Sequence, residues 1–238
     1  MKQTIFILAC AVLMTSCHVV VSSHKEGEQI EVKNSVVSVK PFERVEVAGS
    51  FNVHYQQSDS CTLRVQAPEE VLRELDIRND GNTLSVGFRE RVMGIRFGKQ
   101  FDKVDVFLTS PDLIGVGTAG DVDFKCDGHL DTDKLKLSVA GRGVLDFNTI
   151  ICDAIKTEIA GSGDVSIKGL TTGDASFEIA GAGDIDVNFV KGGNAEVSIA
   201  GSGNVKLSGH VSRYHQSIAG VGHIDRDGLI VSEKQEGE

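Results

Sequence analysis

Hydrophobic and polar residues alternate along most of this chain with a period of two. Val37/Val39, Val45/Val47 and Phe51/Val53/Tyr55 are separated by polar residues, as in strands with one dry face. Val104/Val106/Leu108 repeats the pattern before Pro111, and Asn79-Asp80-Gly81-Asn82 is a turn signal ahead of a strand at Leu84 to Phe88. Helical spacing occurs once, from Pro68 to Leu75, where Pro68 opens a turn and Val71, Leu72 and Leu75 share a face.

From Gly117 onward the alternation becomes an internal repeat. Gly117-Thr118-Ala119-Gly120-Asp121-Val122 is followed by Ala140-Gly141-Arg142-Gly143-Val144-Leu145 and Ala160-Gly161-Ser162-Gly163-Asp164-Val165. Ala180-Gly181-Ala182-Gly183-Asp184-Ile185, Ala200-Gly201-Ser202-Gly203-Asn204-Val205 and Ala219-Gly220-Val221-Gly222-His223-Ile224 complete the series. Gly141, Gly161, Gly181, Gly201 and Gly220 are spaced by 20, 20, 20 and 19 residues. Apolar residues alternate on both sides of each copy, and a second turn closes the units at Thr172-Gly173-Asp174, Gly192-Gly193-Asn194 and Ser208-Gly209-His210.

A unit of ~20 residues made of two strands cannot bury its own apolar face, so the units must stack. The expected fold is all-β: a β-helix-like solenoid with two strands per coil and facing sheets, preceded by further strands and one short helix. Five or six coils at ~4.8 Å give a body roughly 25 to 30 Å tall. Gly120, Gly141, Gly143, Gly161, Gly163, Gly181, Gly183, Gly201, Gly203, Gly220 and Gly222 are assigned to structural turns, where sharp reversal favours positive φ. The organisation reads as residues 1–16 leader, 17–35 anchor and tether, 36–116 N-terminal strand section, 117–231 repeat solenoid and 232–238 polar tail.

The leader changes the picture of where this solenoid works. Lys2, an apolar stretch from Ile5 to Met14, and Thr15-Ser16 before Cys17 resemble a bacterial lipoprotein signal, with cleavage before Cys17 and lipid on its new N-terminus; a plain secretory signal is the alternative. Cys10 has too short an apolar stretch before it to serve. His18, where an Asp would favour the inner membrane, makes an outer-membrane lipoprotein the expectation, facing the periplasm or the cell surface. Cys61, Cys126 and Cys152 then remain, an odd number without CxxC spacing, which suits buried free thiols better than zinc.

Composition agrees with a folded body: 27 Gly but only 3 Pro, with 40% hydrophobic residues, exclude collagen and disorder. The net charge of -10 repels phosphate backbones and argues against nucleic-acid partners.

Phe42-Glu43-Arg44-Val45, the Gly49-Ser50-Phe51-Asn52-Val53 step and the serial Gly-Ser-Gly-Asp turns after Val104-Asp105-Val106 resemble the putative auto-transporter adhesin, head GIN domain family, over residues 36 to 225. The resemblance implies a β-helical fold, no catalytic residues, a role in cell adhesion and trimeric assembly.

Three functions follow for the outward residues. Asp121, Asp164, Asp184 and Asn204 occupy the fourth turn position and form a candidate calcium ladder, but Val144 and His223 interrupt it, and Asp and Asn equally suit turn chemistry. Asp164, Asp184 and Asp186 are positions from which a glycosidase pair could be drawn, without a sign of the cleft needed to raise one pKa. His210, His215 and His223 have no partnered Ser or Cys motif. Rows of Lys136, Lys156, Lys206, Glu158, Glu178 and Glu196 instead form mixed-charge faces suited to a protein or glycan ligand or another subunit. The expectation is a non-enzymatic interaction protein without cofactor, held to a membrane through its N-terminal lipid; a periplasmic accessory or scaffold is the alternative, and a carbohydrate-active enzyme ranks below both.

Overall fold

The computed structural model describes residues 32–89 and 103–233. The Cys17 anchor and the leader lie outside them. Twelve strands and one helix occupy the described residues: β1 (Val32–Val37), β2 (Arg44–Gln57), β3 (Thr62–Pro68), α1 (Glu69–Glu74), β4 (Leu75–Asp80), β5 (Thr83–Phe88), β6 (Val104–Ser110), β7 (Gly115–Gly141), β8 (Val144–Gly161), β9 (Asp164–Gly181), β10 (Asp184–Gly201), β11 (Asn204–Gly220) and β12 (His223–Val231). The strands from β7 to β12 pair in parallel, each with the next, so the repeat forms a stacked β-solenoid.

Between β7 and β8, and between β8 and β9, the corners stack residue on residue, Gly161 against Gly141 and against Gly181. The core is correspondingly regular. Val53, Phe124, Leu145, Val165, Ile185 and Val205 succeed one another across adjacent coils, and each is at most 1% exposed. Stacking gives every coil the apolar contact that ~20 residues cannot make alone.

Burial along a coil divides it more finely than the sequence does. In β8 the inward residues are Leu145/Phe147, then Ile150/Cys152, then Ile155/Thr157/Ile159. The alternation slips twice, near Asn148 and near Asp153, in addition to the Gly-x-Gly corner. The slip near Asp153 corresponds to the second turn of the sequence pattern. The other bends the stretch between the two turns, so the core is lined from three directions.

The strand section before the repeat is joined to the solenoid. β2 pairs in parallel with β7, and Gly49 lies opposite Gly120 with φ of 136° and 97°. Gly49 is therefore a further corner of the same stack, and the sequence boundary between residues 116 and 117 falls inside β7. Beyond β2 the architecture changes: β6 and β5 lie on its far edge, β3 and β1 continue antiparallel from β6, and β4 hairpins with β5 around Gly81. α1 opens after Pro68 and buries Val71. This end of the solenoid is capped.

Candidate functional site

The outward side chains of the stretch following each Gly-x-Gly corner form one continuous face, and the candidate carboxylates lie on it. Strand register fixes their row. Asp123 lies opposite Val144, Val144 opposite Asp164, then Asp184, Asn204 and His223 follow. Asp121 does not belong to this row, which corrects the sequence assignment. The motif beginning at Gly117 is out of register by two residues, because Gly120 is the residue that stacks in the corner. Asp123 takes the place given to Asp121, which instead lies beside Ser50.

The row's side chains join one coil to the next. Asp164 Oδ1 accepts from the Asp184 N–H at 3.3 Å, and Asp184 Oδ1 accepts from the Asn204 N–H at 3.0 Å and from its Nδ2 at 2.9 Å. A side-chain oxygen thus holds the start of the following coil. Lys103 reaches Asp121 at 2.8 Å and Asp123 at 2.7 Å. Partial burial opposes the charge on Lys103, but hydrogen bonds to Asp121 and Asp123 outweigh it and raise its pKa. Among the described residues, no group of three or more His, Cys, Asp or Glu is placed to hold a metal ion.

The row serves structure through oxygens that an amide also possesses. Asp164→Asn combined with Asp184→Asn is therefore expected to change stability by no more than about 0.5 kcal/mol. Thermal melts of both proteins should superpose in calcium and in chelator. A calcium-induced rise in Tm confined to the parent overturns this assignment.

Toward the capped end the same face carries a different composition. Asn52 Nδ2 donates to Asp105 Oδ1 at 2.9 Å, and Gln66 Nε2 donates to Asn34 Oδ1 at 2.5 Å. In the neighbouring row His54 stacks on Phe107 with ring centroids 4.8 Å apart, and the Arg64 guanidinium lies 3.7 Å from the Phe107 centroid on another strand. Alternation alone did not single out this group, since its members come from β2, β3 and β6 and meet only through long-range pairing.

The side of the coil preceding the corner carries Lys136, Lys156, Glu158, Glu178 and Glu196, whereas Lys206 follows the corner and lies opposite Asp186. Lys136 and Lys156 contact Glu158 at 2.8 and 2.9 Å, and Lys156 also reaches Glu178 at 3.0 Å. Hydrogen bonds from Lys136 and Lys156 hold the Glu158 carboxyl at about 2. A carboxyl lowered in the folded state stabilises the fold above its unfolded pKa, and that stabilisation fades as pH falls through the folded value. Partial exposure and screening keep the network to about 0.5–1 kcal/mol. The parent is expected to melt above Glu158→Gln at neutral pH and to lose this advantage between about pH 4.5 and pH 2. A difference unchanged at pH 2 contradicts the ion-pair account.

Two of the three described thiols are withdrawn from the surface. Cys126 and Cys152 are buried free thiols, and Cys61 is a half-buried one. Burial pushes Cys126 up to about 11 and raises Cys152 as well, which leaves both protonated at neutral pH. His210, His215 and His223 are exposed. Asp164, Asp184 and Asp186 are exposed too, on a face of regular ladders.

A family model matches two overlapping stretches, residues 41–174 and 158–235, and its description is putative auto-transporter adhesin, head GIN domain. The chain belongs to this family. The head GIN domain model thus spans the solenoid and its capping section from β2 onward. Solved structures share the fold at low identity. A putative adhesin from Bacteroides fragilis NCTC 9343 is 22% identical with a TM-score of 0.65, covering 84% of this chain and 97% of its own. A putative lipid binding protein from Parabacteroides distasonis ATCC 8503 is 21% identical with a TM-score of 0.58, covering 84% and 96%. A putative adhesin from the same strain is 21% identical with a TM-score of 0.55, covering 84% and 97%. No curated protein matches the chain.

Proposed function

We propose that this head GIN domain protein is a non-enzymatic adhesion or interaction surface of the cell envelope, anchored in the outer membrane through lipid on Cys17. The observation that carries the reading is how the polar side chains are used. Asp164 and Asp184 join coils, Lys136, Lys156 and Glu158 bridge one another, and the buried thiols face the core. Groups so engaged build a stiff, patterned face. They do not supply the paired, pKa-shifted groups that hydrolysis requires. The ligand of such a face is a protein or a glycan. Membership of an adhesin family and the leader ending at Cys17 support the envelope location.

Two experiments test this. Cys17→Ser is expected to release the protein from membranes or leave it uncut; a processed mutant that stays membrane-bound after detergent-free washing overturns the anchor. Cells carrying the protein should adhere more strongly than deletion cells to at least one member of a protein and glycan panel, without cleaving it. Equal adherence throughout, or polysaccharide cleavage by the purified protein, overturns the function.

A further inference from the structure

The two ends of the solenoid are not equivalent. β12 pairs with β11 only from Asn204 to Val211, after which the Ser232 and Glu233 N–H groups donate to the Val211 and Ser212 carbonyls. The rest of β11, from Arg213 to Gly220, pairs with β10 on one side and has no strand on the other among the described residues. The last coil thus ends in a recess one strand deep. The ladder direction shows which groups face it. The Val221 N–H donates back to the Gly201 carbonyl, so by alternation the N–H and C=O groups of Tyr214, Gln216, Ile218 and Gly220 point into the recess. Ile218 and Val221 beside it are 41% and 83% exposed.

Arg226 of β12 covers the Tyr214 ring at 5.5 Å, at one end of this edge, but from Tyr214 onward the edge strand itself carries none of the charges found on other edge strands. β12 carries Asp225-Arg226-Asp227 and β1 carries Lys33, charges of the kind that discourage strand addition. Tyr214-His215-Gln216-Ser217-Ile218-Ala219-Gly220 contains no Lys, Arg, Asp, Glu or Pro. The preceding coils define what fits there: a parallel strand with apolar residues at alternate positions, as in Ala175/Phe177/Ile179 and Ala195/Val197/Ile199. The tail Lys234-Gln235-Glu236-Gly237-Glu238 would place Lys and Glu at all three of those positions.

A segment between β5 and β6 has the required spacing. Met93-Gly94-Ile95-Arg96-Phe97-Gly98, outside the described residues, has apolar side chains at Met93, Ile95 and Phe97 and small or polar residues between them. Its own copy cannot deliver it. Arg89 is held to Glu74 beyond the β2 edge, and the recess lies about seven strand spacings from β5, or about 34 Å. The four residues from Arg89 to Met93 span at most about 14 Å. We propose that residues 92–98 of a second copy add as a parallel strand to the open edge of β11. The donor segment leaves the capped end and the acceptor edge lies at the other, so the contact is heterologous and propagates as an open chain of solenoids. It goes beyond the ligand-binding reading and does not depend on it.

The test uses the full chain carrying Cys17→Ser, so that lipid does not contribute, and reads mass by sedimentation. The mass should rise with concentration without reaching a plateau. Ile218→Lys should block the acceptor and Ile95→Lys the donor, each leaving a monomer; their equimolar mixture should form a dimer and stop there. A labelled peptide of residues 91–99 should bind the Ile95→Lys protein, and the same peptide with its own Ile95→Lys change should not. These peptide measurements decide the matter even if Ile218→Lys fails to fold. A parent monomeric at every concentration, a plateau at a closed trimer, a mixture that stays monomeric although both variants are folded, or peptide binding only after removal of residues 234–238 overturns the proposal.

Discussion

Gly181→Val is expected to lower stability by about 3–5 kcal/mol, the sum of backbone strain and a steric clash. Gly181 has φ of 146°, and a Cβ there would lie 2.2 Å from the Gly161 carbonyl oxygen. That oxygen already accepts the Ala182 N–H at 2.8 Å, so moving it aside breaks a coil-to-coil bond. The adjacent Ala182 is exposed, and Ala182→Ser should stay within about 0.5 kcal/mol. Gly183 makes a useful comparison because its φ is ordinary, yet a Cβ would meet Gly163 O at 2.2 Å and Ile159 Cγ2 at 2.8 Å. Chemical denaturation of the three variants should rank Gly181→Val as the most costly, Gly183→Ala next and Ala182→Ser as silent. Similar midpoints for Gly181→Val and Ala182→Ser contradict the stacked corner.

The second large effect lies in the core. Phe177 is 0% exposed, stands between Thr157 and Val197 in neighbouring coils, and meets Phe189 edge-on with centroids 6.3 Å apart. Phe177→Ala is expected to cost about 3–5 kcal/mol, since the flanking coils are fixed by their ladders and cannot close the cavity. Phe177→Leu should recover most of that loss. Denaturant midpoints measure both, and an alanine variant as stable as the leucine variant contradicts the packing described for this row.

The repeat was legible because its constraints are local. Apolar alternation and the 20-residue spacing of Gly141, Gly161, Gly181 and Gly201 reflect a backbone that meets the same surroundings in each coil. The hairpin at Gly81 and the turn of helix after Pro68 are local in the same sense. Contacts made across long stretches of sequence were less accessible. Gly49 stacks on Gly120 although β3 to β6 intervene, and nothing near Gly49 reveals its partner. The Asp121 assignment failed for a related reason: the first motif contains glycines at 117 and 120, and only pairing with β2 determines which one turns the corner. The extra bend near Asn148 has no glycine in β8 itself, although Gly128 and Gly169 stand at the same bend in the adjacent coils, and it shows in the burial of Phe147 and Ile150. The Arg64–Phe107–His54 stack was likewise hidden, since its side chains come from three strands whose order does not follow the sequence.

The parallel, coil-by-coil pairing has a mechanical consequence. Tension applied between the two ends of the solenoid acts along the coil-to-coil hydrogen bonds and loads the outermost coil first. Coils then peel away in succession, with no single resisting clamp, and the intact stack remains to bear the load after each loss. A released coil of 20 residues, once extended, contributes about 65–70 Å of new length. Under a steady pull the molecule lengthens in equal increments, yielding gradually at its open end while the capped end stays folded.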